Sequence, residues 1–222
     1  DCPVIDPIVV DAVIAGASGN LDRHIRNMAG FGMPVVVSIN RFSTDTDAEL
    51  AALEDAARAS GATSVQLCEV HANGGAGGEE LAKAVVSAVH DHVAAGRPFT
   101  PLFMPNAGIR EKIASIATRI YKAEGVKIDA SAEKQLALIE KWGYGELPVC
   151  MAKTQYSFSH DPNLLGSPSG FTVPIKEFRL NAGAGFVVAI CGNMMTMPGL
   201  PKRPAALDMD MDENGNLIGV FG

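Results

Sequence analysis

The chain has 222 residues, of which 47% are hydrophobic and 19% charged, and a formal net charge of −7. That apolar fraction can build a real core, while the acidity and the lack of any Lys/Arg run argue against a general nucleic-acid binder. No apolar stretch reaches the roughly 18 residues of a membrane span, and no basic-then-apolar leader opens the chain.

Cys2, Cys68, Cys150 and Cys191 are far apart and form no C-x-x-C. They read as reduced thiols of a cytosolic protein, with metal ligation the minority reading. The first residues hold two prolines and the short apolar run Ile8-Val9-Val10, as in a chain that begins in the middle of a fold. From Ser18 to Met28, Leu21, Ile25 and Met28 recur at helical spacing. Gly30 and Gly32 stop that helix and Pro34 opens a strand. The run Val35 to Ile39 does not alternate, which predicts a strand covered on both faces, the habit of parallel sheets. Thr46-Asp47-Ala48-Glu49 has the form of a capping box and predicts a helix over 47–59, closed by Gly61. A second strand is predicted over Val65 to Val70. A glycine-rich loop over 71–78 comes next, then a helix over 79–94 whose first residues, Glu79 and Glu80, suit the positive end of the helix dipole. Strands separated by crossover helices pair in parallel. Two such strands are too few for a stable sheet, so partner strands are expected later in the chain or in a part that is absent.

Arg97 to Pro105 contains three prolines and reads as a linker. It divides the chain into residues 1–98, part of a nucleotide-binding α/β domain, and residues 99–222, a smaller α+β domain. In the second part Ile113, Ile116 and Ile120 stripe a helix over 109–123. Ser131 begins a helix that runs to Trp142 and stops at Gly143. A short strand is predicted over 147–152 and a buried one over 186–191. The polar segment 153–169 reads as a long surface loop, of a kind usually functional or disordered. Met194 to Pro201 is turn-rich, with its methionines read as apolar packing. Residues 210–221 form a hairpin turning at Asn214-Gly215.

The chemistry concentrates after the two N-terminal strands. Asn40, Arg41 and Phe42 lie just past the carboxyl end of the first, where open α/β sheets bind ligands. The Asn40 carboxamide can pair with a ring nitrogen and its exocyclic amine, and Phe42 offers a flat face to a heteroaromatic ring. The second strand end, Leu67 to His71, adds an imidazole that could stack or hydrogen-bond. The plainer reading is a turn-capping Asn, a core Phe and a solvated His. The glycines at 74–78 lack the Lys-Ser/Thr pair of a phosphate-binding loop and precede two carboxylates, so close backbone packing is the better reading. Gly183 and Gly185 precede a strand instead of following one, which excludes the dinucleotide fingerprint. Lys153 heads the densest polar cluster, with Thr154, Gln155, Tyr156, Ser157, His160 and Asp161, and could partner an anion or carboxylate; a solvated loop is the alternative. Proximity in sequence does not make Ser157, His160 and Asp161 a triad.

The segments FGMPVVVSINRFSTDTDAEL (31–50), VQLCEVHANGGAGGEELA (65–82), AKTQYSFSHDP (152–162), FRLNAGAGFVV (178–188) and MTMPGLPKRPAALDMD (196–210) resemble the C-terminal part of the formate–tetrahydrofolate ligases (10-formyltetrahydrofolate synthetases). The resemblance implies the parallel-sheet portion of a P-loop NTPase-like domain with flanking helices, plus a smaller α+β C-terminal domain. It implies an enzyme that uses ATP and Mg²⁺ to make formyl phosphate from formate and passes the formyl group to N10 of tetrahydrofolate. It also implies a cytoplasmic homotetramer, often activated by a monovalent cation. Family members are more than twice as long, and their phosphate-binding loop lies in the N-terminal half that this chain lacks. The expectation is therefore a fragment, inactive alone, whose natural partner is that missing half. The ring-binding edge carries over onto Asn40, Arg41, Phe42, Leu67, Glu69 and His71. His71 stands where bacterial members usually have Trp, which keeps a planar face but shrinks the stacking area. No catalytic residue and no metal ligand carries over. Two other readings remain: a non-catalytic, oligomer-forming module that uses an exposed sheet edge, and a different nucleotide-binding α/β protein.

Overall fold

The computed structural model describes residues 7–193, 202–215 and 217–219. Cys2 and the Met194–Met197 group lie outside the described residues. The chain divides into a large unit ending at Gly192 and a small one from Asn193 onward.

The large unit opens with α1 (Pro7–Gly16), which passes through one π turn (Ala17–Leu21) into α2 (Asp22–Ala29). The predicted helix therefore begins earlier than Ser18, and the apolar run Ile8-Val9-Val10 is helical. A proline is tolerated at the first helical position because its missing N–H would have no intrahelical partner there. The wide turn takes in Ser18 and Gly19 without breaking the rod. β1 (Val36–Asn40), α3 (Asp47–Ala59) and β2 (Ser64–Cys68) come next, and β1 and β2 pair in parallel with Val36 opposite Ser64 and Asn40 opposite Cys68. The capping box forms: the Thr46 hydroxyl accepts from the Glu49 N–H, and Glu49 reaches back to the Thr46 N–H at 2.8 Å. These bonds from Thr46, the backbone one foremost, hold the Glu49 carboxyl below its ordinary pKa.

The first core gathers Ile25, Ile39, Leu50, Ala57 and Val65 between α2, α3 and the strand pair. β1 is not covered on both faces as predicted. Ile39 is buried but Ser38 and Asn40 are exposed, and among the described residues the sheet has two strands only. The segment predicted as a glycine-rich loop is instead a short helix, α4 (Val70–Asn73), and a 3₁₀ turn (Gly74–Gly78), which lead directly into α5 (Glu79–Ala94).

A second core takes no residue from the first. It contains Ile109, Ile113, Leu136, Val173, Ile175, Phe178 and Val187, all buried. Its elements are α6 (Ile109–Ser115), extended by a π turn (Ile116–Ile120), then β3 (Gly125–Ile128), α7 (Ala130–Lys141), β4 (Val149–Ala152), β5 (Thr172–Asn181) and β6 (Phe186–Cys191). The sheet order is β3-β5-β6-β4, with β3–β5 and β4–β6 parallel and β5–β6 antiparallel. α7 starts one residue before Ser131, after Asp129, whose carboxylate meets Lys176 at 3.0 Å instead of capping the helix. Segment 153–169 has no helix and no strand, yet Phe158 and Ser159 within it are buried, so it is not a solvated loop. In the small unit, β7 (Asp210–Met211) and β8 (Leu217–Ile218) make the predicted antiparallel hairpin, with Gly215 at φ +83°.

The linker is pinned along its length. Phe31 and Phe99 stack with centroids 5.7 Å apart, and the Thr100 N–H donates to the Phe31 carbonyl at 2.8 Å. Lys112 is only 2% exposed, and its ammonium donates to the carbonyls of Pro105 (2.9 Å), Glu146 (2.5 Å) and Leu147 (3.3 Å). These carbonyls take the place of a carboxylate partner for a charge that burial would otherwise penalise heavily. Lys112→Met keeps the apolar stem but strands these acceptors, and each unsatisfied buried group costs about 1–3 kcal/mol. The expected result is a lower urea midpoint with an unchanged slope. A midpoint at the wild-type value would show that water replaces the ammonium.

Candidate functional site

β1 and β2 run side by side and leave the sheet in the same direction, which brings Asn40-Arg41-Phe42 beside Cys68-Glu69. The Arg41 N–H donates to the Cys68 carbonyl at 3.2 Å, extending the pairing one residue past the strand end. The Arg41 guanidinium then bridges to Asp47 at 3.1 Å and to Glu69 at 3.9 Å. All three side chains are partly or largely exposed, so each pair is worth under about 1 kcal/mol. Their effect is positional: they hold the Glu69 carboxylate at the rim. The Phe42 N–H donates to the Asp45 carboxylate at 2.8 Å, and the Asp45 N–H returns to the Phe42 carbonyl at 3.1 Å. This tight turn directs the Phe42 ring outward, 69% exposed. Phe42 is therefore not a core residue. Leu67 is also out in solvent at 41%.

On the other strand, the Glu69 N–H donates to the Gly77 carbonyl at 3.0 Å, while the Glu69 carbonyl accepts from the N–H groups of Ala72 and Asn73. The 3₁₀ turn is thus folded back onto the end of β2. A β-carbon at Gly77 would lie 2.4 Å from the Glu69 carbonyl oxygen, and one at Gly78 would lie 2.8 Å from a Val70 methyl. The glycines serve close backbone approach, as read from the sequence. Glu79 and Glu80 beyond them are both engaged by Lys83, at 2.9 and 2.8 Å.

Leu67 and Glu69 line an open cleft of about 780 Å³ together with Glu54, Arg58, Asn73 and Gly77. Of the expected ring-binding residues, these two open into the cleft. Asn40, Arg41, Phe42 and His71 stand outside its lining. His71 projects from α4, exposed. Glu54 and Arg58, paired at 2.7 Å one turn apart on α3, and Asn73 on α4 were not singled out in the sequence. The i,i+4 spacing of Glu54 and Arg58 was the only local hint, since the fold alone puts that pair over the cleft.

The family model for formate–tetrahydrofolate ligase matches residues 7–221. Over 204 residues the chain is 52% identical to the formate–tetrahydrofolate ligase of Methylobacterium nodulans, covering 91% of this chain and 36% of that protein. It is 50% identical to those of Methylorubrum populi and Paracoccus denitrificans, covering 96% and 95% of this chain and 37% of each relative. The chain belongs to the formate–tetrahydrofolate ligase family. It spans a little over a third of the length of these relatives.

Lys153 belongs to another part of this ligase-family chain, at the end of β4. Its ammonium donates to the carbonyls of Thr154 (2.8 Å), Ser157 and Ser159 (3.2 Å) and lies 5.4 Å from the Tyr121 ring. Desolvation lowers its pKa, and the nearby Cys191 opposes the shift. Burial pushes Cys191 up to about 12, and burial likewise pushes Tyr121 up to about 12. The described hydrogen bonds of Lys153 go to its own loop and none to the strand-end residues. Ser157, His160 and Asp161 make no relay: the Ser157 hydroxyl bonds Ser159, Asp161 accepts from Asn163, and His160 Nδ1 is buried without a partner. Among the described residues no group of three His, Cys, Asp or Glu is placed to hold a metal ion, and no helix is long and apolar enough to cross a membrane. Cys68, Cys150 and Cys191 are free thiols.

Gly77→Ala should unseat the 3₁₀ turn from β2, because the clash is with backbone and not with a side-chain tip. A loss of about 1–3 kcal/mol is expected, with faster amide exchange at Glu69 and Asn73. Wild-type exchange at both sites would mean the backbone yields freely.

Proposed function

We propose that this chain is a fragment of an ATP-dependent ligase that forms 10-formyltetrahydrofolate from formate and tetrahydrofolate through formyl phosphate, and that it supplies the ring-binding edge. The observation that carries the proposal is the parallel exit of Asn40–Phe42 and Leu67–His71 in a chain of this family, fastened by Arg41 to Cys68 and Glu69. Leu67 offers apolar surface to a flat ring, and Glu69 can accept hydrogen bonds from ring N–H and amino groups. Phe42 and His71, both exposed, are free to swing onto the two faces of a pterin or purine. Lys153 acts as a positioning residue that holds its own loop.

On this reading residues 1–98 are the end of a P-loop NTPase-like domain and residues 99–222 a smaller α+β domain. The ATP phosphates and Mg²⁺, with any monovalent cation, are held by the part of the relatives that this chain does not cover. The described residues contain neither a phosphate-loop lysine nor a metal cluster, so no step at the phosphoryl centre is assigned to them. The complete enzyme would be cytoplasmic and homo-oligomeric. A second reading, an assembly module, is favoured by one feature: Val85, Val86, Val89 and Val93 form an exposed apolar face along α5. Concentration-dependent sedimentation of the chain, without folate or nucleotide binding, would select it.

The isolated chain should show no formation of formyl product with formate, ATP and tetrahydrofolate; measurable turnover refutes the fragment reading. Titrated separately, tetrahydrofolate or ADP should bind. Phe42→Ala should weaken the ligand that binds by up to tenfold, and His71→Trp should strengthen it by up to tenfold, since aromatic stacking adds about 0.5–1.5 kcal/mol beyond burial. Unchanged affinity in both variants would remove the two rings from the site.

A further inference from the structure

We propose that the chain carries a second, unassigned binding site, for a small oxyanion of the phosphate class, between α2 and the turn after α6. A pocket of about 220 Å³ lies there, lined by Arg23, Arg26, Asn27, Phe31, Arg119 and Lys122 among others. It shares no residue with the strand-end cleft, and no carboxylate lines it. The volume is below the roughly 300–1,000 Å³ of sites for drug-sized ligands, so it suits an ion or a terminal phosphate group.

Arg23, Arg26, Arg119 and Lys122 all line this one pocket, in a protein whose net charge is −7. Two of them are locked by neutral acceptors, which fix their position without cancelling their charge. Arg23 donates from Nη1 to the Tyr121 carbonyl at 3.3 Å and from Nη2 to the Ser167 carbonyl at 3.2 Å, with its guanidinium 5.3 Å from the Phe158 ring. Arg119 donates from Nη1 to the Leu102 carbonyl at 2.6 Å. Asn27, likewise, is tied to the Ile120 carbonyl at 3.2 Å. Arg26 is engaged only through Nε, by Asp22 at 2.8 Å, which leaves its two terminal nitrogens unused. Asp22 is the single carboxylate that meets any of the four among the described residues.

Lys122, an exposed residue, is the fourth cation. Among the described residues its ammonium has neither a hydrogen-bond acceptor nor an ion pair. It is also the one described non-glycine residue with positive φ, at +58°. Left-handed backbone just past a helix end is a C-terminal cap, a position that glycine usually takes. Here the Lys122 carbonyl accepts from the Gly170 N–H at 3.1 Å, and the next residue, Ala123, donates to the Ala117 carbonyl at 2.9 Å. Like charges around one pocket repel one another. A divalent oxyanion relieves the repulsion and can accept from the two unused terminal nitrogens of Arg26 as a forked pair.

The test is calorimetric titration and thermal melting of the chain with inorganic phosphate, pyrophosphate and acetate at low salt. Phosphate should bind, raise the melting temperature and weaken as sodium chloride is added. Acetate should bind more weakly. Pyrophosphate tighter than phosphate would mark a nucleotide-type phosphate as the natural source, and equal or weaker binding a free ion. Lys122→Gly separates a ligand role from a structural one. It removes the ammonium and the strained φ together, so without ligand the variant should melt at or above the wild-type temperature, while phosphate affinity falls by about tenfold, the loss of one charge-assisted bond. Arg26→Gln, on an exposed side chain, should give a similar loss. No phosphate-dependent heat or melting shift in the wild type, or wild-type affinity in both variants, overturns the site.

Discussion

The parallel pairing of β1 with β2 is the constraint on which the strand-end site depends. Two strands joined by a crossover helix emerge on the same rim, and the register that puts Asn40 opposite Cys68 decides which side chains become neighbours there. A one-residue slip would invert each strand's faces. It would turn Val65, now buried, away from the core it shares with Ile39 and Leu50. The register is secured at both ends. The Thr63 N–H donates to the Val35 carbonyl at 2.7 Å at one end, and the Arg41 N–H donates to the Cys68 carbonyl at the other. Beyond the strand ends the backbone is equally decisive: it forms the Asp45 turn under Phe42, and it seats the 3₁₀ turn on Glu69 through two glycines that have no side chain to intrude.

Much of this was legible in the sequence where local signals and tertiary demands agree. The capping box at Thr46 fixed the start of α3, because both reciprocal bonds are made within four residues. The exit of Asn40–Phe42 beside Leu67–His71 was implied by the helix between two apolar runs. The signals failed where the backbone departs from regular geometry. β5 was invisible because a bulge between Ile175 and Glu177 shifts the phase of its alternation, so that Val173 and Ile175 are buried and then Phe178. Pro174 within it also argued against a strand. β3 has four residues and begins with glycine. The π turns were unreadable because one extra residue per turn leaves a helical pattern nearly intact.

The site was less legible than the fold. Leu67 and Glu69 reach the cleft, but the cleft's other walls come from α3 and α4, whose Glu54, Arg58 and Asn73 carry no motif. The role of Lys153 depended on which way a long loop turns. Its carbonyls converge on the ammonium only because Phe158 and Ser159 are drawn inward, a long-range packing event that no local pattern encodes. The basic pocket was missed for the same reason: Arg23, Arg26, Arg119 and Lys122 are scattered singly and never form a run.

A proline-rich stretch between two hydrophobic centres would ordinarily serve as a tether that lets them fluctuate apart. Here the Phe31–Phe99 stack, the Arg119 bond to Leu102 and the Lys112 bond to Pro105 remove that freedom, and Arg23 and Asn27 of α2 grip the carbonyls of Tyr121 and Ile120. Neither centre can melt without dismantling the grip on the other. Heat should therefore dissolve residues 7–192 as one cooperative body, with a single calorimetric peak despite two cores.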